Sequence, residues 1–266
     1  MVFVDHYGPD NIAERPWMAV PPHPHLGLQT VSWLLDGEVL HRDSLGSEHT
    51  LRPGQLGLMT AGRAISHSEQ SPPDHAPSLH GAQLWVALPD GSRATEPQFE
   101  FHGDLPLIEE PGLRARVILG EFAGLVSPGR TFSPLAGVDV GLTAGADTVL
   151  PLEPDFEYAV LTAAGVAEVD GVELAPGSLL YLGCGRTELR VGAATDARML
   201  LLGGEPFAEK IVMWWNFVAR TGEEIAAARE QWRHGTGFGT VRGYEGDALA
   251  APPLPPGPLA ARGRTR

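Results

Sequence analysis

Cysteine is nearly absent from this 266-residue chain, where Cys184 stands alone. A single thiol forms no intrachain disulfide and cannot build a Cys-rich zinc module, so a fold stapled by bridges or thiolate-bound zinc is excluded. Long hydrophobic runs are missing as well. No stretch reaches the roughly eighteen apolar residues of a membrane span, and the opening Met1-Val2-Phe3-Val4-Asp5-His6 lacks the basic and apolar regions of a signal peptide. We therefore expect a cytoplasmic protein with no membrane association. Positive charge is scarce: 19 Lys and Arg against 33 Asp and Glu leave a formal net charge of -14. Three of those arginines, Arg262, Arg264 and Arg266, crowd the extreme end. No basic cluster interleaved with aromatics offsets the acidic body, which disfavours direct nucleic acid binding through phosphate contacts. Acidity of this size serves solubility.

What is present is a β pattern. The length suffices for one large domain or two of moderate size with a substantial core. Short apolar runs, Leu28 to Leu35, Val39 to His41 and Gln55 to Thr60, are separated by Asp36-Gly37 and by Arg52-Pro53-Gly54. Asp36-Gly37 reads as a hairpin and Pro53-Gly54 as a turn. Regular spacing of short strands points to a sandwich or barrel. Part of the pattern recurs: Leu51 to Arg63 aligns without gaps on Leu174 to Arg186, each copy following a strand-glycine-strand unit, with Gly37 in the first and Gly165 in the second. Two related β-domains are expected.

The donor-rich residues are paired. His23 and His25 are one residue apart, and so are His67 and Glu69. On a strand such i, i+2 partners leave the same face, so two neighbouring strands can aim three imidazoles and a carboxylate at one point. Neutral imidazole and carboxylate suit one first-row divalent metal ion, and ligand type leaves Fe, Mn, Co, Ni, Cu and Zn open. A closed structural zinc site ordinarily uses thiolates. Four protein ligands leave positions for substrate or O2 on a five- or six-coordinate ion. Carrying the repeat register forward puts Arg190 where the first copy has His67. Counting back from Gly165 puts Pro151 and Glu153 near the His23 and His25 positions, so the second copy is expected to lack the metal set. The remaining histidines, His6, His41, His49, His75, His80, His102 and His234, read as ordinary core or surface residues. His80 is kept as a candidate support behind the ligands.

Downstream, Ile211 to Val218 fits a continuous buried strand. Thr221 with Glu224 gives a capping-box pattern for a following helix whose apolar face carries Ile225, Ala228 and Trp232. Ala251 to Arg266 is Pro-rich without apolar periodicity and is expected to be a disordered tail.

These motifs resemble a known family. Phe3-Val4-Asp5-His6-Tyr7-Gly8-Pro9, Pro22-His23-Pro24-His25, Met59-Thr60-Ala61-Gly62, His67-Ser68-Glu69 and Leu84-Trp85-Val86 are similar in identity and order to the pirins, over nearly the whole chain apart from the tail. The resemblance implies an all-β bicupin: two β-barrel or jelly-roll domains with a short C-terminal helix. The expected division is an N-terminal metal-binding cupin over 1-125, a C-terminal cupin without a metal over 126-245, and a disordered tail over 246-266. It implies iron(II) held by His23, His25, His67 and Glu69, and quercetin 2,3-dioxygenase activity on a small aromatic substrate and O2. Glu69, the only ionised ligand, is then the candidate catalytic base. The alternative implication is a non-enzymatic iron protein whose partners are transcription factors or metabolic enzymes. Three features depart from common pirins. Leu26, Leu28 and Gln29 stand where many members carry a basic residue, an aromatic and a glutamate. Met1 lies close to the Asp5-His6-Tyr7-Gly8-Pro9 motif, so a strand that usually precedes it is expected to be either missing or left out by a start set too late, and Trp214-Trp215-Asn216-Phe217 looks like a subgroup feature.

Overall fold

The computed structural model describes residues 1–14 and 18–263. Within them the regular secondary structure is nearly all strand, with one α-helix, Gly222–Arg233, and no helix long and apolar enough to cross a membrane. Two compact units result: Val2–Phe101 together with Phe207–Arg266, and His102–Pro206. This division differs from the expected 1-125, 126-245 and 246-266. The chain leaves its first unit at Phe101 and comes back to it at Phe207. The reason is apolar burial: Val212, Phe217, Ala219, Ile225, Ala228 and Phe238 form one core cluster, against which Leu26 and Ala64 of the first unit pack.

In the first unit, five strands run in the order Phe3–Asn11, Ser78–Ala87, Leu28–Asp36, Leu56–Thr60 and Gln98–His102. Four more run in the order Ala19–His25, Ile65–Gln70, Val39–Asp43 and Glu48–Leu51. Leu28–Asp36 is central in its sheet and is buried at every position but the last, with Leu28, Val31, Trp33 and Leu34 wholly buried. Asp36-Gly37 does not close a hairpin. The strands on either side of it belong to different sheets, so the turn is a corner that carries the chain across. Gly37 has φ +84, and a Cβ there would sit 2.3 Å from the Ser78 carbonyl oxygen. Such a position admits only glycine without strain.

The same corner recurs in the second unit, which explains why the two copies share it. Gly165, at φ +67, lies between Glu157–Ala164 of the larger sheet and Ala167–Val169 of the smaller, and its Cβ would meet the Asp196 carbonyl oxygen at 2.1 Å. The ungapped alignment is reproduced in register, with Leu56–Thr60 and Leu179–Gly183 as equivalent strands after turns at Gly54 and Gly177, φ +84 and +83. The position equivalent to His67 is Arg190, as expected. Pairing corrects the other two. His23 faces His67 and His25 faces Ile65 in the first unit, whereas Val149 faces Arg190 and Pro151 faces Glu188 in the second. The counterparts are therefore Val149 and Pro151 rather than Pro151 and Glu153, because the second copy has two more residues before its corner. None of the four equivalent positions, Val149, Pro151, Arg190 and Gly192, carries an imidazole or a carboxylate.

The returning segment holds two further differences. Ile211 to Val218 is not one strand but a hairpin of Val212–Trp214 and Phe217–Ala219, turned at Trp215-Asn216, with Trp215 at φ +49. Apolar content alone cannot separate a buried strand from a buried hairpin. The Pro-rich end has no ladder of its own but is tied down. Arg262 exchanges backbone hydrogen bonds of 2.8 and 2.9 Å with Ile211, Trp232 Nε1 donates to the Leu249 carbonyl at 2.8 Å, and Leu249 N donates to the Pro22 carbonyl at 2.8 Å. Arg264 to Arg266 lie outside the described residues.

The helix forms as its sequence predicts. Thr221 caps it, its hydroxyl accepting from Glu224 N at 3.3 Å, while Glu224 Oε2 accepts from Arg220 N at 2.8 Å. Ile225 and Ala228 are buried and Trp232 is half-buried on one face. Thr221→Ala is expected to destabilise the protein by about 1 kcal/mol in urea unfolding. An unchanged midpoint would show that the Glu224 contact suffices.

Candidate metal centre

Ala19–His25 and Ile65–Gln70 are antiparallel neighbours, with His23 directly opposite His67. Between the pairs Val20–Glu69 and His23–His67 the register slips by one residue. Pro21 and Pro22 occupy that slip, where a missing N–H costs the ladder nothing. The bulge frees the Pro21 carbonyl, which accepts from His23 Nδ1 at 2.9 Å. His25 Nδ1 lies 3.1 Å from the Asn216 carbonyl, at the tip of the C-terminal hairpin. A carbonyl only accepts, so both Nδ1 atoms carry the proton and both Nε2 atoms keep a lone pair.

His23, His25 and His67 bring donor atoms within 4.8 Å of one another, and their ring centroids are 4.3 to 5.0 Å apart. All three are buried, at 6%, 1% and 0% exposure. Burial pushes the imidazoles down, His23 to about 4 and the other two well below the usual range, with neighbouring histidines adding to the effect on His25 and His67. They are neutral donors. Burial pushes the Glu69 carboxyl up, opposed by nearby His41 and by hydrogen bonds from Ser32 and Gln83; the Ser32 hydroxyl donates to Glu69 Oε1 at 2.9 Å.

The test of fit for a metal is His67 Nε2, a buried nitrogen with no hydrogen-bond partner among the described residues. An orphan of this kind costs about 1–3 kcal/mol unless something binds it. An electrophile shared with the lone pairs of His23 and His25 would satisfy it, and three neutral imidazoles fit a divalent metal ion, whereas Glu69 falls by distance with His67 and His41 rather than with His23 and His25.

A cavity of about 380 Å³ opens onto His23, His25 and Glu69. Its walls are Phe3, Trp85, Met213 and Trp215, with Asp5, Tyr7, Gln83 and Asn216 as polar groups. A larger cavity, about 540 Å³, touches Pro22 and Ser66 but none of the candidate ligands. His80 has a ring partner of its own. Its Nε2 sits 2.8 Å from His6 Nε2, on the sheet formed by Phe3–Asn11 and Ser78–Ala87.

Four contributors carry no assignment from the sequence. His41, buried at 2% exposure, belongs with His67 and Glu69 to a second cluster of donors within 4.8 Å. The signal was there, since His41 and Asp43 are another i, i+2 pair. Ser32 and Gln83 carried no signal. Asn216 acts through its backbone, which side-chain identity cannot reveal.

Comparison with known proteins agrees with this architecture. The Pirin family profile matches residues 1–86, and that of the Pirin C-terminal cupin domain matches residues 137–239. The chain is 46% identical over 254 residues to a Pseudomonas aeruginosa protein named "Putative quercetin 2,3-dioxygenase PA1205", covering 95% of this chain and 80% of that one. It is 38% identical over 242 residues to a pirin-like protein of Caulobacter vibrioides, covering 88% and 82%. Among solved structures, the quercetin 2,3-dioxygenase from Acinetobacter baumannii superposes with a TM-score of 0.92 at 44% identity, covering 97% of this chain and 86% of that one. The two copies, each with an equivalent corner between its own two sheets, are the halves of a bicupin, and the chain belongs to the pirin family.

Proposed function

We propose that the chain is a metal-dependent ring-cleaving dioxygenase whose substrate is a flavonol such as quercetin or a similar enolisable aromatic, with iron(II) held by His23, His25, His67 and Glu69. The observation that carries this reading is the cavity of about 380 Å³ that opens onto His23, His25 and Glu69 between aromatic walls. An aromatic-lined cleft with a few convergent polar groups suits a planar ligand. The names of the Pseudomonas and Acinetobacter relatives support the same substrate class.

A dication with three neutral imidazoles and one carboxylate has a net charge of about +1, and when bound it supplies a Lewis-acidic, redox-active position for an enolate and O2. The residues of the chain do the rest. Trp85 and Trp215 flank the ring and exclude water. Glu69, whose carboxyl burial makes more basic, takes the proton of the flavonol 3-hydroxyl as general base. Ser32 and Gln83 keep that carboxylate turned toward the cavity. The Tyr7 phenol is pushed up by burial and by the charges of Glu69 and Asp5, so it stays protonated as a hydrogen-bond donor.

Protein stripped of metal, reconstituted anaerobically with Fe(II) and given quercetin and O2 should bleach the flavonol band and release carbon monoxide. Glu69→Gln should lower that turnover by about 10²–10⁴-fold. A variant that keeps both metal and full activity removes the general-base role. Absence of turnover with every divalent metal tried would favour a regulatory iron protein instead.

A further inference from the structure

His67 differs from its two neighbours in how its second ring nitrogen is used. The Nδ1 atoms of His23 and His25 meet backbone carbonyls, whereas His67 Nδ1 lies 3.3 Å from Nδ1 of His41. His41 Nε2 in turn lies 3.4 Å from Asp43 Oδ2. The Asp43 side chain has no exposed surface, and its other oxygen, Oδ1, accepts from Leu45 N at 2.9 Å and Ser47 N at 3.0 Å. The His41 ring is stacked on Phe99, with centroids 4.2 Å apart and planes within 9°. Both His41 and Asp43 come from Val39–Asp43, paired to the ligand strand so that His41 faces Glu69 and Asp43 faces His67.

We infer that His41 and Asp43 are positioning residues that present His67 Nε2 to the metal through an imidazole-imidazole-carboxylate relay. The proton assignments follow from one end. A carboxylate fixed by two backbone amides only accepts, so His41 Nε2 carries a proton and His41 Nδ1 keeps a lone pair. That lone pair accepts from His67 Nδ1, which leaves the free lone pair on Nε2. This is the buried atom that has no hydrogen-bond partner among the described residues. At 3.3 and 3.4 Å the two contacts are weak hydrogen bonds whose value is directional. Stacking on Phe99 holds the middle ring in plane, so the relay fixes both tautomer and ring orientation. Partners of this kind raise ligand basicity and are typically worth about 10–100-fold in metal affinity. Of the three imidazoles, His67 alone is tied to an anionic group in this way.

The inference rests on the metal reading of the centre, and its test needs no turnover. Co(II) is titrated into metal-stripped protein and followed by calorimetry and by its visible absorption, with thermal unfolding of each metal-free variant as a fold check. His41→Leu removes the acceptor and should weaken Co(II) binding by about 10–100-fold and shift the absorption bands. His41→Asn places an amide oxygen near the lost Nδ1 and should restore affinity to within about threefold of wild type, with Asp43→Asn falling between the two. Wild-type affinity and spectrum in His41→Leu would overturn the relay. So would equal weakening in His41→Leu and His41→Asn that tracks a common loss of thermal stability, which marks a purely structural role. Two Co(II) ions per wild-type chain, one of them lost in His41→Leu, would make His41 a ligand instead. A wild-type protein that binds no Co(II) overturns the metal reading itself, a result distinct from all of these.

Discussion

Replacing His67 with leucine should empty the metal centre while leaving the metal-free protein close to wild-type stability. His67 is wholly buried and its Nε2 is unpaired, so the apo protein already carries the cost of a desolvated polar atom. A leucine of similar volume removes that cost but leaves His41 Nδ1 without its donor, and the two effects offset to within about 1.5 kcal/mol. The metal-bound state behaves differently. A ligand present at about 100 times its Kd stabilises a protein by about 2.7 kcal/mol, a gain that requires an intact site. Wild type should therefore show a metal-dependent rise in thermal midpoint that a chelator abolishes. His67→Leu should show neither the rise nor any stoichiometric metal, and flavonol turnover should fall below detection. Stoichiometric metal in the variant would remove His67 from the ligand set. A variant that unfolds without metal would instead make His67 a packing residue.

Gly27→Ala should be among the most damaging single-methyl additions in the chain. Gly27 follows His25 by two residues and has φ +72, where an ordinary L-residue is strained by about 1–2 kcal/mol. A Cβ would also stand 2.0 Å from the Val218 carbonyl oxygen, a backbone atom that no rotamer change can move aside. Relief requires separating Leu26–Gly27 from the hairpin strand Phe217–Ala219, where Val218 N donates to the Leu26 carbonyl at 3.1 Å. The combined cost is about 2–5 kcal/mol, the sum of backbone strain and overpacking. Gly46 is the natural control. It has φ +95 but nothing within 4 Å of its would-be Cβ, so Gly46→Ala should cost only the strain, about 1–2 kcal/mol. Urea unfolding of both variants separates the two contributions. Equal losses would mean that the contact with Val218 carries no weight. Because the Asn216 carbonyl rides on the same hairpin, Gly27→Ala should also lower metal occupancy.

What the sequence revealed and what it withheld divide along chain distance. The pairing of His23 with His25 and of His67 with Glu69 was legible because strand periodicity is local and needs only two residues on each strand. The repeat was legible because Pro53-Gly54 and Pro176-Gly177 are forced by the same turn geometry, as are the corners at Gly37 and Gly165. Asp36-Gly37 was misread as a hairpin because a corner and a hairpin ask the same of a glycine; the choice between them is made by which sheet the next strand joins. The counterparts of His23 and His25 were placed two residues off, since only the cross-strand register shows the longer approach to the second corner. The return of Phe207 onward to the first unit left no trace in local pattern. It depends on apolar surface at Leu26 and Ala64 meeting partners far along the chain. His41 reads as an ordinary histidine when taken alone, although its spacing to Asp43 matches that of His23 to His25 and of His67 to Glu69.

The carbonyl that accepts from His25 belongs to Asn216, 191 residues later in the chain. At about 5–20 residues per second of synthesis, it leaves the ribosome some tens of seconds after the imidazole it orients. During that interval the nascent chain already displays every candidate ligand, the last being Glu69, while the whole second unit is still being made. His25 has no backbone acceptor yet, and the cavity lacks its Met213 and Trp215 wall. The order of assembly is thus written into connectivity: donors first, enclosure last. Metal ions met early find open, flexible donors, and only a chain that extends past Asn216 offers them a shaped site.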